Sequence, residues 1–315
     1  MKKPILYIVV PCYNEEEVLP ETAKRLKAKL TSLVEQGKVS DDSRVLFVDD
    51  GSKDKTWELI AGYHEADPQF SGVRLSRNRG HQNALLAGLM TAKDRADAAV
   101  SMDADLQDDI NAIDGMVDAW LQGADIVYGV RSARDTDTFF KKFTAEGFYK
   151  LMEAMGAEVV FNHADYRLMS KRALEALSEF KEVNLFLRGI VPMLGFETAT
   201  VEYARGERFA GESKYPLKKM LAFALDGITS LSDRPLQLIL GLGGLTTLGG
   251  LASLPFSFRK YQKTGWEEDG PVILSTVWTV GGFVLTSLGV VGDYVGKIYL
   301  ETKHRPRYFI AEKKL

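Results

Sequence analysis

Short apolar runs alternate with amphipathic stretches over the first 130 residues of the chain. Apolar runs of four to eight residues are typical of buried strands, and the amphipathic stretches between them are typical of helices that cover a sheet. The alternation predicts an α/β fold with a largely parallel sheet. The predicted strands are residues 5–10, 44–48, 73–76, 98–102 and 125–130, and a helix is predicted over 15–35.

The second half of the chain has a different pattern. Two stretches, about 235–258 and 271–293, contain no charged residue before Asp293, and each is long enough to cross a hydrocarbon core of about 30 Å as a helix. We therefore expect two transmembrane helices, since buried helices of a soluble domain rarely need such long uncharged runs. Between 214 and 233 apolar residues recur at helical spacing, which predicts a juxtamembrane amphipathic helix in the membrane interface; an ordinary surface helix is the alternative.

The predicted organisation is thus an α/β domain over 1–213, the amphipathic helix over 214–233, two transmembrane helices within 234–298 and a basic tail over 299–315. Lysine and arginine are concentrated in that tail and just before the first span. This bias predicts that both termini and the large domain face the cytosol, in a multi-pass protein of the cytoplasmic membrane. Gly292 and Gly296 form a G-x-x-x-G pair, so a homo-oligomer is conceivable.

Composition excludes several function classes. The formal net charge of −3 lacks the basic excess of a nucleic-acid-binding protein, so we expect no nucleic-acid partner. The single cysteine, Cys12, excludes an internal disulfide and a C-x-x-C site. The chain has neither a G-x-x-x-x-G-K-[ST] loop nor a G-x-G-x-x-G after its first strand, which argues against P-loop ATPases and dinucleotide oxidoreductases.

Acidic residues follow two of the predicted strands. Asp103 and Asp105 stand one residue apart after the fourth strand, and such carboxylates can share Mg²⁺ or Mn²⁺ with the pyrophosphate of a nucleotide. A solvated acidic loop is the simpler alternative. Asp50 follows the second strand beside Gly51, where a carboxylate can accept hydrogen bonds from a base. Ligands of such sheets bind at the carboxyl ends of the strands. Because the phosphate-loop and dinucleotide fingerprints are absent, a sugar nucleotide is the favoured ligand.

Six motifs occur in order along nearly the whole chain. They are 11–15 (PCYNE), 49–56 (DDGSKDKT), 76–82 (SRNRGHQ), 103–108 (DADLQD), 165–169 (DYRLM) and 211–215 (GESKY). Together they resemble the family 2 glycosyltransferases that act on polyprenyl phosphate. The likeness is strongest to bactoprenol-phosphate glucosyltransferases and weaker to dolichol-phosphate mannose synthase. The resemblance implies a GT-A fold, a requirement for Mg²⁺ or Mn²⁺, inverting transfer and a cytosolic active site.

The resemblance also implies roles for individual residues. The nucleoside would be held by Pro11, Tyr13, Glu15 and Asp50, with Arg77 and Gly80 nearby. Asp103 would bridge nucleotide and metal, and Asp105 and Gln107 would bind the metal. The expected catalytic residues are Asp105 and Asp165, the latter on the acceptor side. Asp165 would act there as a base, as a group that orients the acceptor or the sugar hydroxyls, or as a carboxylate that stabilises positive charge at the anomeric carbon, unless it forms only a structural salt bridge with Arg167 or Lys171.

Basic residues before the amphipathic helix suit a lipid phosphate, because guanidinium groups bind phosphate in a bidentate manner. The candidates for phosphate and lipid binding are Arg205, Arg208, Ser213 and Lys214, with Arg131 for the donor phosphate. A basic strip that contacts anionic head groups is the alternative. We expect transfer of glucose from UDP-glucose to undecaprenyl phosphate, with other sugars open. A processive polysaccharide synthase and a non-catalytic membrane scaffold are the competing functions.

Overall fold

The computed structural model describes residues 3–132, 163–206, 235–243, 245 and 270–315. These residues form an eight-stranded sheet covered by helices, together with one long C-terminal helix. The strands are β1 (Leu6–Cys12), β2 (Arg44–Asp49), β3 (Phe70–Leu75), β4 (Ala98–Ser101), β5 (Ile126–Arg131), β6 (His163–Ser170), β7 (Thr198–Tyr203) and β8 (Ile310–Lys314). The helices are α1 (Leu19–Glu35), α2 (Thr56–Ala66), α3 (His81–Lys93), α4 (Ala112–Leu121), α5 (Lys171–Glu179), α6 (Leu187–Met193) and α7 (Gly270–Thr302).

The strand order is β7-β5-β6-β4-β1-β2-β3-β8. Strands β3, β2, β1 and β4 pair in parallel, whereas β6 runs antiparallel between β4 and β5, and β8 runs antiparallel to β3. The sheet is therefore mixed, and the predicted parallel arrangement holds for its centre and for the β5–β7 pair. β1 is the central strand and all seven of its residues are buried. A strand covered on both faces reads as a continuous apolar run, which is why the sequence reveals it.

Side chains of β1 alternate between two hydrophobic cores. Ile8 and Val10 face the core beneath α1, α2 and α4, and Tyr7 and Val9 face the core beneath α3, α5 and α6. This two-sided cover buries both faces of the central strands. The loops that follow the parallel strands lie together at the carboxyl ends of these strands, where ligands bind in folds of this class.

All five predicted strands are present, with ends that differ by a few residues. The predicted helix 15–35 begins later, at Leu19, because residues before it form a turn in which Asn14 has a φ of 52°. Strands β6, β7 and β8 were not predicted. The segment 133–162, the amphipathic segment 214–233 and most of the first predicted span lie outside the described residues, although 235–243 are helical.

Helix α7 has 33 residues and is about 50 Å long. Within the described part of the chain it is the one helix long and apolar enough to cross a membrane, and the candidate segment is Phe283–Thr302. None of that segment is buried in the protein, and its exposed apolar side chains include Leu285, Leu288 and Ile298. The second predicted span lies in α7, but the helix continues well past residue 293. Two transmembrane helices were predicted, and the described residues contain one candidate.

The chain returns to the sheet after α7. Strand β8 pairs with the free edge of β3, and the indole nitrogen of Trp57 donates a hydrogen bond to Glu312 at 3.1 Å. The segment predicted as a basic tail therefore completes the sheet and covers an edge strand that would otherwise present unpaired backbone groups. Because most residues of β8 are charged, the strand lacks the alternating hydrophobicity by which strands are recognised in a sequence.

Candidate active site

The loop after β1 is fastened to the loop after β2. The backbone N–H of Asn14 donates to Ser52 Oγ at 3.0 Å, and the N–H of Lys53 donates to Asn14 Oδ1 at 2.9 Å. The N–H of Glu15 donates to Thr56 Oγ1 at 2.9 Å. Of the residues predicted to hold a nucleoside, Pro11 is buried in β1, Glu15 lies at the start of the turn, and the ring of Tyr13 is exposed at the edge.

Asp50 fastens the loop after β3. Its two carboxylate oxygens accept the backbone N–H groups of Arg79 at 2.7 Å and Gly80 at 2.9 Å. Burial raises the pKa of Asp50, although these two hydrogen bonds oppose the shift. The structure thus brings together the predicted residues Asp50 and Gly80, while Arg77 lies exposed in the same loop. The contact of Asp50 with a nucleoside stays a prediction.

Gly51 makes this contact between loops possible. Its φ is 67°, and a Cβ at this position would lie 2.6 Å from the backbone carbon of Arg77. A side chain would both strain the backbone and push the two loops apart.

Asp103 and Asp165 face a shared histidine. His81 Nε2, at the start of α3, lies 3.6 Å from Asp103 Oδ1 and 3.9 Å from Asp165 Oδ2. Asp103 follows β4, Asp165 lies in β6, and these neighbouring strands run in opposite directions. The structure therefore brings together an aspartate predicted on the donor side and one predicted on the acceptor side. Loss of solvent raises the pKa of Asp103, partly offset by His81, and the carboxylate of Asp165 adds to the rise.

Asp165 is held by two arginines. Arg167 donates to its Oδ1 at 2.6 Å and Arg188 donates to its Oδ2 at 3.0 Å. Asp165 and Arg167 are almost fully buried, whereas the side chain of Arg188 is 32% exposed. Burial alone would raise the pKa of Asp165, but the guanidinium groups of Arg188 and Arg167 hold it well below its ordinary value. The carboxylate is therefore ionised at neutral pH. The salt bridge with Arg167, the expected structural alternative for Asp165, is present, and Arg188 extends it towards solvent.

The turn after Asp103 carries the other predicted metal ligands. Asp105 Oδ1 accepts the backbone N–H of Gln107 at 3.2 Å. The side-chain oxygen of Gln107 accepts a hydrogen bond from Arg205, and Gly206 donates its N–H to the Gln107 carbonyl at 2.8 Å. Arg205, predicted to bind lipid phosphate, is thus placed beside the predicted metal ligands. Metal binding by Gln107 stays a prediction.

Arg131 contacts a buried carboxylate next to this turn. Its guanidinium lies 3.5 Å from Asp108 Oδ1, and its Nε donates to the hydroxyl of Tyr203 at 3.2 Å. The same hydroxyl donates to Asp108 at 2.5 Å. Burial raises the pKa of Asp108. This triad joins the ends of β5 and β7 to the turn after β4, so Arg131 has a structural partner in addition to its predicted role.

Two residues of this site were missing from the predicted set. His81 lies within the 76–82 motif, one position past Gly80, and its position there was a usable signal. Arg188 is separated from Asp165 by a helix and a loop, and nothing in the spacing indicates that they meet. The predicted phosphate-binding residues Arg208, Ser213 and Lys214 lie outside the described residues.

A mixed sheet with a parallel centre, antiparallel strands β6 and β8, and carboxylates directly after β2 and β4 is an α/β architecture of the GT-A type. The model of glycosyl transferase family 2 matches residues 7–178, more than half of the chain. The chain therefore belongs to glycosyl transferase family 2, and it is a glycosyltransferase.

Full-length relatives support this assignment. The chain is 49% identical to the uncharacterized glycosyltransferase YkoT of Bacillus subtilis (strain 168), over 98% of this chain and 91% of that protein. It is 37% identical to the bactoprenol glucosyl transferase of Shigella phage SfV, over 98% of both chains. Mannosyl-3-phosphoglycerate synthase from Rubrobacter xylanophilus shares the fold, with a TM-score of 0.50 and 14% identity over 75% of this chain and 74% of that chain.

Proposed function

We propose that this glycosyltransferase moves a glucosyl residue from UDP-glucose to a polyprenyl phosphate such as undecaprenyl phosphate, with inversion and at the cytosolic face of a membrane. The supporting observation is the pairing of Asp103 and Asp165 about His81 in a chain related over 98% of its length to bactoprenol glucosyl transferases. The similarity extends beyond the catalytic sheet into the C-terminal region that contains α7, a helix suited to lipid.

The donor side suits a divalent cation. Among the described residues, no group of three or more His, Cys, Asp or Glu side chains could hold a metal by itself. The partly exposed carboxylates of Asp103 and Asp105 instead fit an open site, in which a hard cation takes its other oxygen ligands from water and a diphosphate. We propose that these two residues, with Gln107, hold Mg²⁺ or Mn²⁺. The cation would stabilise the negative charge of the departing UDP.

The acceptor side needs no strong base. The second pKa of a phosphate monoester is about 6, so the acceptor is largely dianionic at neutral pH. In the proposed step, a phosphate oxygen forms a bond to the anomeric carbon while the bond from that carbon to the UDP oxygen breaks. Asp165 is a poor base because its pKa is lowered, and an ionised carboxylate at this position would stabilise positive charge that develops on the sugar. Arg188, next to Asp165, would contact the acceptor phosphate.

Membrane attachment follows from the substrate. The polyprenyl tail cannot leave the bilayer without exposing CH₂ groups at about 0.8 kcal/mol each, so the enzyme must work at the membrane surface. Helix α7 provides an exposed apolar surface for that purpose. We propose that the catalytic domain is cytosolic, because lysine and arginine are concentrated just before the first predicted span and in the C-terminal segment.

The test is an assay of purified protein in nanodiscs with radiolabelled UDP-glucose, undecaprenyl phosphate and Mg²⁺ or Mn²⁺. One labelled sugar per lipid, lost when a chelator is added, is the expected result. A long polymer would instead indicate a processive synthase, and no product with any sugar nucleotide would indicate a scaffold. UDP-galactose, UDP-N-acetylglucosamine and GDP-mannose should be compared in parallel, because the site residues do not distinguish these donors.

A further inference from the structure

The C-terminal end of α7 is joined directly to the loop that leads to Arg188. Glu301, in the last turn of α7, accepts the backbone N–H of Val183 at 2.8 Å and that of Asn184 at 2.8 Å. Its Oε1 also accepts the side-chain amide of Asn184 at 2.9 Å. One carboxylate from the candidate membrane helix thus binds two successive backbone groups of the catalytic domain. Hydrogen bonds to a charged acceptor are stronger than neutral ones.

The same loop is held at its other end inside the active site. The N–H of Leu187 donates to Gln82 Oε1 at 2.8 Å, and the carbonyl of Leu187 accepts from Arg167 at 3.2 Å. The next residue is Arg188, which donates to Asp165. Residues 183–188 therefore run from α7 to the acceptor-side carboxylate, with a hydrogen-bonded contact near each end. Only residues 185–187 separate the Glu301 contact at Asn184 from Arg188.

We infer that Glu301 is a positioning residue, which holds Arg188 against Asp165 through the 183–187 loop and so places the acceptor end of the site relative to the membrane helix. The inference rests on the proposed function, because it assigns this end of the site to a lipid phosphate. Loss of the Glu301 contacts should impair use of the lipid and leave donor binding intact. The donor-side residue Asp50 is held by the N–H groups of Arg79 and Gly80, in a loop to which Glu301 makes no hydrogen bond among the described residues.

The experiment measures both substrates in full-length variants in nanodiscs. We expect Glu301→Ala to raise the KM for undecaprenyl phosphate about tenfold, since strong hydrogen bonds to a charged group are lost, and to change the dissociation constant of UDP by less than about twofold. Glu301→Gln keeps one accepting oxygen and should fall between Glu301→Ala and the wild type. The matched control is Glu312→Ala, which removes the Trp57 contact of β8 without touching the 183–187 loop. It should behave as the wild type with both substrates.

A double-mutant cycle separates positioning from a general loss of structure. If Glu301 acts through Arg188, then Glu301→Ala should change acceptor use less than about twofold in an Arg188→Ala background. Full additivity, unchanged acceptor KM in Glu301→Ala, or loss of UDP binding in both Glu301 variants would each overturn the inference. An inactive wild type that still binds UDP would refute the proposed function instead, so the two failures are distinguishable.

Discussion

Replacing Asp165 with asparagine tests the charge arrangement at the centre of the site. The substitution keeps the size of the side chain but removes the charge that faces Arg167 and Arg188. Arg167 is 2% exposed, so its guanidinium would remain buried without a counter-charge. Breaking a buried ion pair costs about 3–5 kcal/mol, and because the amide oxygen still accepts one hydrogen bond we expect about 3 kcal/mol. That loss corresponds to a decrease in Tm of about 6–12 °C for a domain of this size.

A matched variant isolates the buried part of this effect. Arg188→Gln removes the arginine whose side chain is 32% exposed and leaves Asp165 paired with Arg167. Solvent screens such a pair, so the stability change should stay under about 1 kcal/mol. Both variants should lose activity by about 100-fold, since both remove charge stabilisation from the reacting groups. Thermal unfolding in detergent and the radiolabel assay would give the two quantities on one preparation.

The pH dependence of the Asp165→Asn effect has a definite sign. Because the folded-state pKa of Asp165 is lowered, its stabilising contribution is fully present above the unfolded-state pKa of about 3.9 and is lost as the pH falls towards the folded-state pKa. The difference in Tm between wild type and variant should therefore stay constant from pH 8 to pH 5 and shrink below about pH 4. A difference in the free energy of unfolding under about 1 kcal/mol at pH 7, or a difference in Tm that disappears between pH 8 and pH 6, would refute the reasoning.

Three further outcomes are expected. Asp103→Ala should abolish transfer, by about 1,000-fold or more, while the protein still folds; normal turnover in the radiolabel assay would disprove its role. Gly51→Ala should cost about 2 kcal/mol, measured as a lower Tm, because its φ of 67° and the 2.6 Å approach to Arg77 exclude a side chain. Replacing residues 310–314 by glycine and serine should expose the edge of β3 and increase self-association, as seen by size-exclusion chromatography. An unchanged elution volume and Tm would show that β8 contributes little.

The parts of the fold that could be predicted from the sequence are those formed by an uninterrupted apolar run. Strands β1 to β5 are apolar runs with buried faces, and α7 carries no charged residue before Asp293, so pattern alone indicates them. Strand β6 could not be recognised in this way, because it buries Asp165 and Arg167 as an ion pair and so reads as a polar segment. Strand β8 is short and mostly charged, and it is a strand only because β3 offers an open edge.

The candidate site also has a part that the sequence predicts and a part that only the structure shows. Asp50, Asp103 and Asp105 directly follow apolar strands, and the sequence places them at one edge of the sheet. The pairing of Arg188 with Asp165 depends on how α6 packs beside β6, which is a tertiary contact without a local signature. The resemblance to a family located the motifs, but the partners of each side chain required the structure.

The return of the chain from α7 to the edge of β3 affects how this protein can fold. Strand β3 is made early in synthesis, whereas its neighbour β8 is made only after α7. Contacts between segments so distant in sequence form late, because a large loop must close first. If α7 enters a membrane, completion of the catalytic sheet has to wait for that insertion. Conditions that delay insertion should therefore leave the edge of β3 unpaired for longer, and a sheet with an exposed edge is prone to aggregate unless a chaperone binds it.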